Sequence, residues 1–239
     1  GKSRKLSTIR SFFKFLYKRE YLSANPAQLV DYPKIREKVI TKLDEDEIAR
    51  LLELVDSGTG LTEKQKTYHS ITRIRDIAII TLLLGTGIRI SECVGLNIND
   101  VNFDDNSFKI TRKGGNETIL YFGNEVCEAL QQYLIERENL IPESGHENAL
   151  FLSMQNKRIT PRTIQNMVKK YASQITNKRI TPHKLRSTYG TALYKETGDI
   201  YLVADVLGHK DVNTTKKHYA AIDEDRRRSA ANVVKLREP

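Results

Sequence analysis

A helix start that carries a histidine and an arginine on one face is a place where an anion can be held. The segment Thr181-Pro182-His183-Lys184-Leu185-Arg186 has that form. Thr181 suits an N-cap and Pro182 suits the first helical position. His183 and Arg186 stand three apart and so share a face, and the N–H groups of a helix start favour phosphate. A second cluster is Leu207-Gly208-His209, followed by Thr214-Thr215 and His218-Tyr219. Gly208 permits a tight turn between helices, and Tyr219 comes ten residues after His209. A third is Gly85-Thr86-Gly87-Ile88-Arg89-Ile90-Ser91-Glu92. Its glycines break one helix and start another, which places Arg89 and Glu92 one turn apart.

These residue types fit attack on a phosphodiester. A side-chain hydroxyl can act as nucleophile and form a covalent intermediate. Charge then builds on the non-bridging oxygens, and fixed cations must face it. The departing 5′ oxygen needs a proton donor. Each cluster alone also has a plain alternative. The first reads equally as a capped surface helix, since such starts are common. The second reads as a glycine-ended helix and a packed tyrosine, one of eleven. The third reads as a surface ion pair, worth little to stability.

The elements that must position these residues are mostly helical. Ile9, Phe12, Phe13, Leu16 and Tyr17 recur at helical spacing, with Lys14, Lys18 and Arg19 between them. Residues 31–42 carry Pro33 and many charges without periodicity, and read as a linker. Thr41 or Asp44 can cap a helix through Val55. Residues 57–69 are polar and read as a loop. Arg73–Leu84 reads as a helix, and Ile88–Val94 as another. Ser107–Thr111 and Thr118–Phe122 have strand character and are joined by Lys113-Gly114-Gly115-Asn116, which predicts a β-hairpin. The rest reads as helical, with breaks near Pro142, Thr160-Pro161, Thr181-Pro182 and Gly208. The expected class is mainly α with a small antiparallel β-sheet.

The 239 residues, 39% hydrophobic, suit one large domain or two small ones. The net charge of +9 implies an anionic partner, most commonly nucleic acid. Charge alone would equally fit a ribosome-associated or membrane-surface protein. Cys93 and Cys127 have neither metal-ligand spacing nor a disulfide framework, which fits a reducing cytosol. The longest apolar run, Ile77–Leu84, is too short to cross a membrane. Gly1-Lys2-Ser3-Arg4-Lys5 does not resemble a signal peptide. Its abruptness reads as the start of a fragment.

Taken together and in order, the motifs resemble those of the tyrosine recombinases, or phage-type integrases, a family that includes the Xer recombinases. That family carries G-T-G-x-R-x-S-E, a lysine on a hairpin turn, H-x-L-R, L-G-H and a terminal tyrosine. The matching positions are Arg89, Lys113, His183 with Arg186, His209 and Tyr219. The resemblance runs from about Thr41 to Lys235. It implies the tyrosine recombinase catalytic-domain fold and a metal-free, cofactor-free strand exchange through a 3′-phosphotyrosine. By the resemblance, Tyr219 attacks, Arg89 and Arg186 clamp the phosphate, and Lys113 protonates the 5′ oxygen. His183 assists proton transfer at Tyr219, His209 bonds the phosphate, and Glu92 orients Arg89. Lys109, Arg112, Lys14 and Lys18 are candidate DNA contacts, although for Lys109 and Arg112 a solvated strand charge is the plainer reading.

The resemblance further implies three segments. Residues 1–32 would be the end of a DNA-clamping core-binding domain, 33–42 a linker and 43–239 the catalytic domain. Double-stranded DNA sites are the expected substrate, with a homo-tetramer on DNA and an accessory excisionase or regulator as partners. A nucleoid-associated cytoplasmic location is expected. The apolar tail Ala230, Ala231, Val233, Val234 and Leu236 needs a surface to bury against; the resemblance implies docking on a neighbouring protomer, and folding back on its own domain is the alternative. Gly115-Asn116-Glu117 departs from family hairpins, which often place a second basic residue there. A type IB topoisomerase and a non-catalytic DNA-binding protein of the same fold are the competing readings.

Overall fold

In the computed structural model, residues 2–33, 41–112, 114–209 and 212 are described. The contacts divide the chain into two units, Gly1–Val39 and Ile40–Pro239. In the first, helix α1 (Lys2–Lys18) is followed by a 3₁₀ turn over Pro26–Leu29. Arg10 ties the two, donating from Nε to Ala27 O at 3.0 Å and from one terminal nitrogen to Val30 O at 2.6 Å. Its guanidinium also lies over the Tyr32 ring. The half-buried stripe of α1 is Ser3, Leu6, Arg10, Phe13 and Leu16. Ile9, Phe12 and Tyr17, grouped with Phe13 and Leu16 by sequence spacing, are exposed instead. A lone helix and a short turn can cover only one face, and the arginine anchor chose which.

The second unit opens with α2 (Glu45–Ser57), α3 (Glu63–Thr86) and α4 (Ile90–Gly95). Asp44 is the cap of α2: it accepts from the Glu47 N–H at 2.9 Å, while Glu47 accepts from the Asp44 N–H at 2.9 Å. Such a reciprocal box satisfies two orphan donors of the first turn. Helix α3 begins ten residues earlier than the periodicity predicts, inside the segment expected to loop. Thr62 and Gln65 form a second capping box there. The face that α3 buries at this end is polar, His69, Thr72 and Asp76, so a hydrophobic pattern could not reveal it. Each polar group is satisfied. The His69 ring lies 2.7 Å from Val55 O. Asp76 accepts from Arg75 at 2.7 Å, from Thr72 at 3.0 Å and from the Tyr171 hydroxyl at 2.9 Å.

Three strands follow, β1 (Val101–Asn102), β2 (Ser107–Thr111) and β3 (Glu117–Tyr121), in an antiparallel sheet of order β1-β2-β3. The hairpin is as the sequence predicts, with Phe108 opposite Leu120 and Thr111 opposite Glu117. β1 is too short to carry an alternating signal. Helices α5 (Asn124–Glu138), α6 (Pro161–Ile175), α7 (Pro182–Thr197) and α8 (Ile200–Leu207) follow among the described residues. Between α5 and α6 the chain is irregular rather than helical. Two arginines organise the region around it. Arg137 donates to Glu147 O and Ala149 O. Arg158 donates to Val94 O and Leu96 O, at the end of α4. The core is built on Ile79, Ile80, Leu82 and Leu83 of α3, packed with Leu51, Leu130, Phe151, Val168 and Leu185.

Lys178 pins α2 to the segment before α7, with Nζ 2.5 Å from the Glu47 carboxylate. Burial pushes the Glu47 carboxyl up, but the Lys178 ammonium, the Asp44 N–H and the Thr176 hydroxyl outweigh it and hold the group at about 2. A carboxyl depressed in the folded state adds stability above its unfolded pKa, about 4.3. That contribution is lost as pH falls through the folded value. Thermal melts of the wild type and Glu47→Gln are therefore expected to differ most near neutrality. They should converge between about pH 4 and pH 2. A gap that stays constant over that range would show that the charge contributes nothing.

Candidate active site

Arg89 stands at the N-cap position of α4, between two features that fix it. Behind it, Gly87 closes α3 in the left-handed region, φ +61°, with its N–H on Leu83 O. A side chain there would also collide with Tyr189 and Leu207. Ahead of it, the Glu92 carboxylate takes the Arg89 backbone N–H at 2.9 Å and a guanidinium N–H at 2.8 Å. The other terminal nitrogen donates to Gly208 O at 2.7 Å. Glu92 keeps only 5% of its side chain exposed, against 34% for Arg89. The pair is therefore not an ordinary surface ion pair: a nearly buried carboxylate orients an arginine that still reaches solvent.

Arg186 lies one turn after His183 on α7 and is 5% exposed. One terminal nitrogen donates to Gly87 O at 2.5 Å and the other to Leu207 O. Thr181 occupies the N-cap position, but its side chain makes no cap bond. Its carbonyl accepts from Lys184 and Leu185 instead. Gly208 ends α8 in the left-handed region, φ +59°. Its N–H bonds Asp205 O at 2.8 Å and the His209 N–H bonds Ala204 O at 2.8 Å. This glycine-dependent double closure fixes the direction in which the chain leaves the helix, and so places His209.

Ile88, Arg89, Ile90, Ser91, Pro182, His183, Arg186 and His209 line one cleft of about 410 Å³. Four of the six residues singled out as catalytic thus meet, from three separate stretches of chain. Two guanidinium and two imidazole groups facing one small cleft suit a phosphate, because bidentate arginine geometry matches its oxygens. Lys113 and Tyr219 lie outside the described residues, as does the apolar tail. Lys109 is on β2 and pairs with Glu117 across the hairpin at 3.4 Å, both half-exposed. Lys14 and Lys18 are exposed on α1. Arg112 is not a solvated strand charge: it donates to Asp205 O at 3.2 Å and Val206 O at 3.1 Å.

A larger groove of about 870 Å³ meets the cleft at Ile90, Pro182 and His183. Arg162, Gln165, Asn166, Lys169 and Ser173 of α6 line it, with Lys178 and Arg179. The sequence reading missed these residues, yet a signal was present. They recur at helical spacing opposite the buried Ile164, Met167, Val168 and Tyr171, a polar stripe with two cations. Among the described residues, no group of three or more His, Cys, Asp or Glu side chains could hold a metal ion, and no helix is long and apolar enough to cross a membrane.

Residues 41–226 match the phage integrase family. The chain belongs to that family. It is 34% identical over 218 residues to the tyrosine recombinase XerC of Thermodesulfovibrio yellowstonii, a match that spans 90% of this chain and 69% of the relative. The tyrosine recombinase XerD of Staphylococcus haemolyticus is also 34% identical, with the same coverage of both chains. The XerA recombinase structure superposes with a TM-score of 0.65 at 26% identity, over 96% of this chain and 77% of that one. The Tn1549 transposon integrase, solved in complex with circular intermediate DNA, shares the fold at a TM-score of 0.68 and 21% identity. That match covers 95% of this chain and 77% of that one. As a tyrosine recombinase, the protein acts on DNA and cleaves and rejoins its strands by the tyrosine mechanism. The topoisomerase and non-catalytic readings are not favoured.

Proposed function

We propose that the cleft seats the scissile phosphate of a recombination site, with Tyr219 as nucleophile. The observation that supports this is the meeting of Arg89, His183, Arg186 and His209 around one cleft. Tyr219 Oη attacks the phosphorus and forms a 3′-phosphotyrosine. The bond to the 5′ oxygen breaks, and that oxygen takes a proton from Lys113. His183 receives the tyrosine proton, and His209 bonds a non-bridging oxygen. Arg89 and Arg186 carry the charge that develops on the phosphate, and no metal is needed for that role. Rejoining runs the same steps backwards from an incoming 5′ hydroxyl. The groove along α6 carries the flanking duplex, with Arg162, Lys169 and Arg179 opposite the phosphates. Lys109 is a further DNA contact of this unit, and Lys14 and Lys18 are DNA contacts of the first unit.

Residues 1–32 are then the end of a DNA-clamping domain, 33–42 a linker and 43–239 the catalytic domain. Four protomers hold two DNA sites, the tail of each docking on the next, since a head-to-tail contact closes a ring when the rotation permits. The setting is the cytoplasm, at the nucleoid, on a chromosome or a mobile element, with an accessory excisionase where direction must be controlled.

Duplexes selected by binding from a randomised pool, then nicked beside the cleavage position, provide the test. A covalent protein–DNA adduct should form on them, survive denaturant and persist in EDTA. Peptide mapping should place the nucleotide on Tyr219. Binding without any adduct, or an adduct on another residue, would overturn the assignment.

A further inference from the structure

The end of α8 is where the site is held together. Four successive carbonyls there, of Asp205, Val206, Leu207 and Gly208, accept from arginines of three separate stretches of chain. The last carbonyls of a helix have no partner within it and carry the negative end of its dipole, so guanidinium groups suit them. Two of these arginines, Arg186 and Arg89, belong to the phosphate clamp. The third, Arg112, does not line the cleft. It sits where β2 meets the hairpin turn, and its backbone closes that turn. Its N–H bonds Asn116 O at 2.8 Å, and its carbonyl accepts from Gly115 at 3.0 Å. Gly114 and Gly115, at φ +106° and +85°, supply the left-handed backbone the turn needs. Lys113 is the next residue in the chain.

We propose that Arg112 is a positioning residue: it locks the turn that carries Lys113 to the same helix end that holds Arg89, Arg186 and His209. One rigid set of carbonyls then registers the proton donor against the phosphate clamp. The contact is close enough that any side chain at position 208 would overlap the Arg112 guanidinium. A side chain at 208 could therefore be accommodated only by moving the Arg112 guanidinium off the helix end, and the backbone angle of +59° favours glycine there in any case. The inference rests on reading Lys113 as the donor to the 5′ oxygen.

The test compares Arg112→Ala, Arg112→Lys and Lys113→Ala on two nicked substrates, one with an ordinary bridging oxygen and one with a 5′-bridging sulfur, which leaves without a proton. Lys113→Ala should lose about 10²–10⁴ in cleavage on oxygen and recover on sulfur. Arg112→Ala should lose about tenfold or more on oxygen, as a misplaced catalytic group does. It should also recover on sulfur, with DNA affinity and melting temperature close to wild type. Arg112→Lys should remain impaired, because a single ammonium cannot span two carbonyls as the planar fork does. Three results would overturn the inference. One is normal cleavage by Arg112→Ala. Another is an equal deficit on both substrates. The third is full activity of Arg112→Lys with a salt dependence in Arg112→Ala reduced by about one phosphate contact. If Lys113→Ala itself fails to recover on sulfur, the donor reading fails, and the inference falls with it.

Discussion

Arg186→Ala is expected to lower strand cleavage by about 10²–10³, the usual cost of losing one preorganised electrostatic donor. DNA affinity should fall far less. Arg186 is buried and held by the carbonyl of Gly87, which closes α3 just before Arg89, and by that of Leu207, the last residue of α8. Its charge is therefore fixed before substrate arrives, and in the proposed reaction it stabilises charge that appears only in the transition state. Binding samples little of that, because the ground-state phosphate has many other cations to meet. Arg186→Lys separates charge from shape. A lysine keeps the charge but cannot reach both carbonyls with one ammonium, so it should recover only a small part of the rate. Truncation also leaves two buried carbonyls unpaired, at about 1–3 kcal/mol each in the worst case, so the melting temperature must be measured alongside. Single-turnover cleavage of a nicked site within about threefold of wild type would remove Arg186 from the clamp.

Tyr219→Phe is expected to abolish the covalent adduct while leaving affinity for the site nearly unchanged. The substitution deletes one oxygen atom, and the proposed reaction has no other nucleophile to offer. The ring is kept, so any packing contribution survives. The loss should reach the detection limit of the assay rather than a fixed factor, and should not be relieved by a 5′-bridging sulfur. This distinguishes it from loss of Lys113: sulfur makes the leaving group easier to expel but cannot supply an attacking hydroxyl. An adduct of normal yield in Tyr219→Phe would transfer the role to another of the eleven tyrosines.

Arginine serves one structural purpose repeatedly in this molecule. Arg158 holds the end of α4, Arg137 holds the loop after α5, and Arg89, Arg112 and Arg186 hold the end of α8. The basic surplus of the chain is therefore not all available to DNA. Part of it binds the negative ends of the protein's own helices.

The sequence by itself determined whatever is decided within one or two turns of chain. The glycines at 87 and 208 announced a helix break and a tight turn, and both end a helix in the left-handed region. Lys113-Gly114-Gly115-Asn116 announced the hairpin, and its strands pair in register. Pro161 and Pro182 marked the starts of α6 and α7, and the spacing of Arg89 and Glu92 gave their ion pair. In each case the partners are near in sequence, and the residue type itself carries the backbone preference or the charge. The tertiary structure alone decided the inward stripe of α1 and the arginine-bound end of α8. There the partner of a side chain is mostly a main-chain carbonyl far along the chain, 119 residues away for Arg89, 99 for Arg186 and 93 for Arg112. Every residue has that carbonyl, so no residue type announces it, and only folding brings it within reach.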